Sequence, residues 1–230
     1  MLEEFLHWLG FGLCHQMPER SYVAGGLQAP VCVRDTGIYV GFVIAFAVVA
    51  LLHRGQRPSD FPHTYIWVVA AGFVAAMGFD GVTSYLGLRS TTNELRLITG
   101  LGVGFSASIL VFPMLNDLLW RGGGSGRVLD TPSKFAVWLA ALPVSYVAIH
   151  YGGPALGSWF PMLIAAAVVF TLTAINLVIV AMLPFFDRKA TSARQLLAPA
   201  TVALVVAFVE IALAAQFRWA LLSLSERLGA

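Results

Sequence analysis

Long apolar runs separated by short polar stretches make up most of the chain beyond residue 30. Several of these runs reach the ~20 residues that a helix needs to cross a ~30 Å hydrocarbon core. A segment in that core must satisfy its own backbone N–H and C=O groups, so runs of this length are predicted to be helices. Six spans are predicted, at residues 31–53, 63–79, 92–120, 135–151, 159–185 and 196–222.

The first 30 residues have a different pattern. Residues 1–13 form an amphipathic stretch that is too short to span, and Trp8 within it suits a membrane interface. Residues 16–30 contain Gly25, Gly26 and Pro30, which predict a loop or a re-entrant turn. We therefore expect a single all-α domain over 1–230, with an interfacial helix and loop at 1–30 and a six-helix bundle at 31–222.

Composition agrees with the pattern. The chain of 230 residues is 58% hydrophobic and 11% charged, whereas soluble domains carry about 25% charged residues. This is the composition of a polytopic helical membrane protein, with membrane lipid as its surroundings. The net charge of +2 comes with arginines at helix ends rather than in a stripe, so no nucleic-acid partner is expected.

The distribution of Lys and Arg among the loops predicts the orientation in the membrane, because cytoplasmic loops carry an excess of both. Eight lie on one side: Arg54, Arg57, Arg121, Arg127, Lys134, Arg188, Lys189 and Arg194. Six lie on the other: Arg20, Arg34, Arg89, Arg96, Arg218 and Arg227. The first four of these six belong to two unusual polar stretches, which leaves two ordinary loop cations there. Both termini and both polar stretches are therefore predicted to be extracytoplasmic.

The first polar stretch, residues 13–41, holds both cysteines of the protein. Cys14, His15, Cys32 and Asp35 offer two thiols, an imidazole and a carboxylate, a ligand set that suits zinc or another divalent metal. Two alternatives stay open: a disulfide, worth about 3 kcal/mol in the loop-entropy account, or two inert buried cysteines. A metal and a disulfide exclude one another at the same sulfur atoms.

The second polar stretch, residues 80–100, is rich in charge. Arg96 falls in the first turn of a predicted helix, where the helix dipole opposes a cation. It needs a carboxylate partner, such as Asp35 or Asp80, or an anionic ligand. Arg34, Arg89, Asn93 and Arg96 are candidate ligands for a phosphate or carboxylate group, which guanidinium groups bind in bidentate fashion. An ion-pair network that joins helix ends is the structural alternative.

Three further features of the sequence predict individual contacts. A capping box is predicted at the start of the third span, in which Thr91 accepts from the backbone N–H of Glu94. Gly100-x-x-x-Gly104 is a spacing that lets membrane helices approach closely. Glu210 is ionisable within the sixth span and is expected either to meet Asn176, Arg218 or His150 across helices, or else to be functional.

Three blocks of this sequence resemble a family of uncharacterised multi-pass prokaryotic membrane proteins with a domain of unknown function. They are CHQMPERS, PVCVRDTGIY and DGVTSYLGLRSTTNELRLITG, which fall between residues 14 and 100. In many members a cysteine stands where this chain has Asp35. That exchange keeps a metal ligand but removes a thiol, which disfavours a Cys-x-x-Cys redox motif. The resemblance implies no activity.

The sequence leaves three functions open. The first is a metal-dependent enzyme that acts on an anionic or lipid-linked substrate, with Asp80 or Glu19 as the catalytic base. The second is a thiol-disulfide oxidoreductase that uses Cys14 and Cys32 together with an outside partner or quinone. The third is a non-enzymatic transporter, lipid-binding protein or accessory subunit of a membrane complex.

Overall fold

The computed structural model describes residues 1–122 and 124–228, and most of them are helical. A short helix, α1 (Leu2–Phe11), is followed by a hairpin of two strands, β1 (Ser21–Ala24) and β2 (Leu27–Cys32). Six longer helices follow: α2 (Val33–Leu52), α3 (Thr64–Tyr85), α4 (Asn93–Leu119), α5 (Pro132–Val147), α6 (Trp159–Ala181) and α7 (Leu197–Leu228). A π-helical turn at Ala148–Gly152 prolongs α5.

Within the described residues, six helices are long and apolar enough to cross a membrane. They are α2 to α7, with α5 counted together with its π-helical turn. The predicted all-α polytopic fold is thereby confirmed. Several boundaries differ from the prediction. Helix α5 begins at Pro132 rather than at residue 135, α6 ends at Ala181 rather than at residue 185, and α7 continues to Leu228 rather than ending at residue 222.

The third helix passes through the point at which the sequence predicted its end. Asp80 and Gly81 were expected to terminate the span, but α3 continues to Tyr85. The prediction was wrong because the Asp80 carboxylate is buried and bound by two arginines, so the helix need not end to hydrate it. The capping prediction was also displaced by one residue: Thr92, not Thr91, caps α4 and accepts from the N–H of Leu95 at 3.3 Å.

Helix α4 is the centre of the bundle and packs most closely against α2. Glycines on both helices allow this approach. A Cβ added at Gly100 would lie 2.1 Å from the backbone oxygen of Arg34, and one at Gly104 would lie 2.2 Å from that of Ile38. The packing role predicted for Gly100-x-x-x-Gly104 is therefore confirmed, and it places the first turn of α4 beside the first turn of α2.

The segment predicted as a loop or re-entrant turn contains the hairpin. Gly25 and Gly26 connect β1 to β2 with φ angles of 58° and 78°. A two-residue hairpin turn with both central residues at positive φ is the type that matches strand twist, and glycine adopts it without strain. Strand β2 runs directly into α2, so the hairpin fixes the position of Cys32 at the start of that helix.

The two polar stretches lie at the same end of the bundle, where Arg34 bonds Asp80 and Asn93 bonds the backbone of Glu19. Segments near both termini meet there too, because the Arg218 guanidinium donates to the Phe11 carbonyl. The cation-rich loops contact one another elsewhere, through an isolated bridge between Asp60 and Arg127. Between the ends, Asn176 donates to Glu210 at 2.7 Å, so Asn176, one of the three candidate partners, binds this carboxylate.

Candidate functional site

Cys14 and Cys32 are brought together by the packing of α1 and the hairpin. Helix α1 ends at Phe11, and the N–H of Cys14 still bonds the carbonyl of Gly10 at 2.9 Å. Cys32 is the residue immediately before α2, and its backbone N–H donates to the sulfur of Cys14 at 3.2 Å. The sulfur of Cys14 therefore lies at the amino-terminal end of a 20-residue helix, where the helix dipole stabilises a thiolate.

Three of the four predicted metal ligands form one cluster. The Sγ atoms of Cys14 and Cys32 and a carboxylate oxygen of Asp35 all lie within 4.8 Å of one another. Cys32 Sγ also donates to Asp35 Oδ2 at 3.3 Å, across the first turn of α2 from the residue that precedes the helix. The fourth candidate, His15, has an exposed side chain and does not belong to this cluster.

The two thiols differ in acidity. Hydrogen bonding from Cys32 lowers the pKa of the Cys14 thiol to about 7, against an opposing effect of burial. The same hydrogen bond, together with burial, raises the pKa of the Cys32 thiol. Cys14 is therefore the sulfur that ionises first, and both cysteines are free in this structure.

Asp80 is the hub of an ion-pair network. Its side chain is 2% exposed and is bound on one oxygen by Arg34 and on the other by Arg89. Arg89 also donates to Thr83 Oγ1 at 2.9 Å. Asp80 and Glu19 were the two predicted bases. Both oxygens of Asp80 are bound by guanidinium groups. Glu19 lies on an exposed 3₁₀ turn, Pro18–Arg20.

Arg96 is a buried cation that pairs with no carboxylate of the described residues. It is 8% exposed, and its Nη1 donates to Asn93 Oδ1 at 3.1 Å. Over the described residues, no carboxylate oxygen comes within 4.0 Å of its guanidinium group. Nδ2 of the same Asn93 amide donates to the carbonyl of Glu19 at 3.0 Å, and this bond connects α4 to the segment before the hairpin.

Both groups of residues line a single cavity of about 350 Å³, here called the site pocket. The cysteines and Asp35 form one wall, and Arg34 and Arg96 form another. Neither Arg89 nor Asn93 is among its lining residues. Asn93 accepts a hydrogen bond from the lining residue Arg96, whereas Arg89 pairs with Asp80, which in turn binds the lining residue Arg34. The remaining lining residues are Leu13, His15, Gln16, Met17, Arg20, Gly81, Ser84 and Tyr85.

Sequence reasoning missed three residues that shape this pocket. Arg20 adds a third guanidinium group to its lining. Gln16 holds the loop after Cys14, because its side chain donates to the carbonyls of His7 at 2.9 Å and Pro30 at 3.0 Å. Arg218 of α7 donates to the carbonyl of Cys14. A positive φ of 56° at Gln16 cannot be read from sequence, and Arg218 is too distant along the chain for any local motif to include it.

The part of the chain that contains most of the pocket residues is similar to known proteins. Residues 14–110 match the profile of a family described as predicted membrane protein, DUF2085. Over 109 residues the chain is 32% identical to an uncharacterised protein of Methanocaldococcus jannaschii, covering 47% of this chain and 67% of the relative. Over 98 residues it is 34% identical to an uncharacterised protein of Methanothermobacter thermautotrophicus, covering 43% and 83% respectively.

The chain belongs to the DUF2085 family. The resemblance inferred from the three sequence blocks is thus confirmed, and both of these relatives are archaeal. No solved structure matches this chain. The segment matched to DUF2085 contains the cysteines, Asp35, Asp80 and Arg96, whereas Arg218 lies outside it. The chemical groups of the pocket therefore come from the DUF2085 segment, and α7 supports them through the bond from Arg218 to the Cys14 carbonyl.

Proposed function

We propose that the site pocket binds a zinc ion through Cys14, Cys32 and Asp35 and binds an anionic substrate beside it through Arg96 and Arg34. The observation that carries the proposal is Arg96, a buried guanidinium group that pairs with no carboxylate in the described part of the chain and lies in the same pocket as three clustered ligand atoms. A buried cation without a counter-charge is costly. An anionic ligand in the pocket would supply that charge.

Zinc fits the donor set. It takes thiolate sulfur at ~2.3 Å and carboxylate oxygen at ~2.0–2.2 Å, and catalytic zinc sites use three protein ligands and leave one position for water or substrate. Two thiolates and a carboxylate in close proximity repel one another, and a divalent cation removes that repulsion. The low pKa of Cys14 favours the deprotonated form that a metal requires.

The proposed chemistry follows from the coordination position that the three protein ligands leave open on the zinc ion. Zinc at this site would polarise a phosphoryl or carbonyl oxygen of a bound anion, or lower the pKa of a bound water. The guanidinium of Arg96 would orient the anion, while Asp80 holds Arg34 in place through their ion pair. This is the reaction class of a metal-dependent enzyme. In this proposal Asp80 positions Arg34 rather than accepting a proton.

The first experiment measures zinc in protein purified in detergent. We expect about one zinc per chain, and loss of most of it in Cys14→Ser and in Cys32→Ser. His15→Ala is the matched control, because its side chain lies outside the cluster, and it should keep its zinc. Arg96→Gln should also keep zinc but lose calorimetric binding of inorganic phosphate. Full zinc retention in Cys32→Ser, or unchanged phosphate binding in Arg96→Gln, would contradict the proposal.

A second candidate, a thiol-disulfide oxidoreductase, is favoured by the proximity of the two sulfur atoms. Closing a Cys14–Cys32 bond releases two electrons and two protons to an outside quinone or to a partner disulfide, which is thereby reduced. The mass after alkylation without reductant separates the two candidates. Two alkylated cysteines in zinc-stripped protein isolated under air would exclude a stable disulfide, whereas none would favour it.

A further inference from the structure

The site pocket adjoins a second, apolar cavity of about 390 Å³, here called the lateral groove. Arg34, Gly81 and Tyr85 line both cavities. The other residues of the groove are Met77, Gly78, Val82 and Leu86, all on α3 or at its end. A polar pocket that holds guanidinium groups thus continues into a channel of aliphatic and aromatic side chains.

The groove exists because α2 and α3 are neighbours that hardly touch. Helix α3 packs against α4 and makes almost no contact with α2, although the ion pair between Arg34 and Asp80 joins the two helices. Two glycines keep the space open. Among the residues that the structure describes, nothing lies within 4 Å of a Cβ added at Gly78, and at Gly81 such a Cβ meets only Arg34 Nη1, at 3.8 Å.

The groove also runs along the span towards the membrane interior. Met77, Gly81 and Tyr85 are four residues apart in succession, so they form one stripe along α3. From Tyr85 to Met77 the stripe extends over about 12 Å at 1.5 Å per residue. Val82 and Leu86 beside it are more than half exposed, and on a membrane-spanning helix such exposed apolar side chains face lipid.

We infer that the anion bound at Arg34 and Arg96 is the phosphate headgroup of a membrane lipid whose chain lies in the lateral groove. This inference rests on the proposed function and specifies its substrate class. A small soluble anion would need only the guanidinium groups. Arg34 stands where the polar and apolar cavities join, and its buried Nε lacks a hydrogen-bond partner among the described residues. An amphiphile with a phosphate at one end fits both cavities at once.

The test uses phosphatidate with a photoreactive diazirine in one acyl chain, in phosphatidylcholine nanodiscs that contain the zinc-loaded protein. We expect cross-links in the segment 77–86. Gly78→Leu fills the groove and should reduce them about tenfold. Gly72→Leu is the matched control, since it is the same change in the same helix, also has nothing within 4 Å, and lies outside the groove. Its cross-links should be unchanged, and thermal unfolding should show both variants folded.

Arg96→Gln should abolish the same cross-links, and a phosphatidylcholine probe with the same diazirine chain should give few of them. Glycerol 3-phosphate, measured by calorimetry, identifies which idea fails. If it binds in an Arg96-dependent way while phosphatidate cross-links ignore Gly78→Leu, the pocket takes a soluble anion and the lipid inference is overturned. If neither compound depends on Arg96, the proposed function fails as well.

Discussion

Cys14 illustrates how a residue acquires reactivity from its position. Its sulfur accepts the N–H of Cys32 at the start of α2, and its carbonyl is held by Arg218. Helix dipole and hydrogen bonding both favour the thiolate. The nearby thiol of Cys32 is less acidic, because burial and the hydrogen bond that it shares with Cys14 raise its pKa.

This difference predicts a pH profile for alkylation of zinc-stripped protein. Only the thiolate reacts, so the rate at Cys14 should be low below its pKa of about 7 and reach a plateau above it. Iodoacetamide labelling, followed by peptide mass spectrometry from pH 5 to pH 10, measures this midpoint. Cys14→Ser should leave only slow labelling of Cys32, and a Cys14 midpoint near 9 would show that the hydrogen bond does not form.

The sequence predicted which residues belong to the site better than it predicted which of them pair with one another. Cys14, Cys32, Asp35 and Arg96 were found from their types and spacing, and all four line one pocket. What the sequence could not supply was which charges pair. Asp80 was a candidate base, yet it is bound by two arginines, one of them 46 residues earlier in the chain. Only the packing of helices decides such pairings.

The α2–α4 contact is the element that sets the geometry of the site. Gly37 and Gly100 face each other across it, and each would place a Cβ within 3 Å of the backbone of the opposite helix. Arg96 lies one turn before Gly100 and is thereby held beside the start of α2. Any separation of the two helices would draw Arg96 away from Cys32.

Gly100→Ala is therefore expected to destabilise the protein by about 1–3 kcal/mol, the usual penalty of overpacking, and to weaken phosphate binding. Gly72→Ala is the matched control. Its Cβ meets nothing within 4 Å, and replacing a helical glycine gains up to about 1 kcal/mol of helix propensity. The two changes should shift Tm in detergent in opposite directions. Equal shifts would mean that the glycine contact does not hold α2 and α4 together.

Spans could be predicted from the apolar runs because the bilayer demands a helix of fixed length. Short elements could not. The hairpin, with strands of four and six residues, occupies part of the stretch predicted as a loop or re-entrant turn and the first two residues of the predicted first span, although Gly25-Gly26 is a hairpin turn signal. The end of α3 was misplaced because a charged residue was expected to leave the membrane, whereas Asp80 stays by pairing with Arg34 and Arg89.

The whole molecule has two chemically distinct ends. One carries the site pocket, and the other carries the cation-rich loops that contact each other through Asp60 and Arg127. The excess of Lys and Arg in those loops predicts that they are cytoplasmic and that the pocket faces outward. An outward pocket would meet substrates of the outer leaflet or of the extracytoplasmic space.

Cysteine labelling in intact cells tests this orientation. In a Cys14→Ser, Cys32→Ser background, Ser90→Cys at the pocket end should react with a membrane-impermeant maleimide. Ser125→Cys, in the glycine-rich loop, should react only after lysis. Both serines are exposed, so accessibility to the reagent depends on the side of the membrane. The reverse pattern would place the pocket in the cytoplasm and overturn the orientation.

The central claim is that Cys14, Cys32 and Asp35 bind zinc together. X-ray absorption at the zinc edge of purified protein measures its ligands directly. We expect two sulfur atoms at ~2.3 Å and two lighter atoms at ~2.0–2.2 Å, with fewer sulfur ligands in any zinc retained by Cys32→Ser. A shell without sulfur, or a spectrum that Cys32→Ser leaves unchanged, would contradict it.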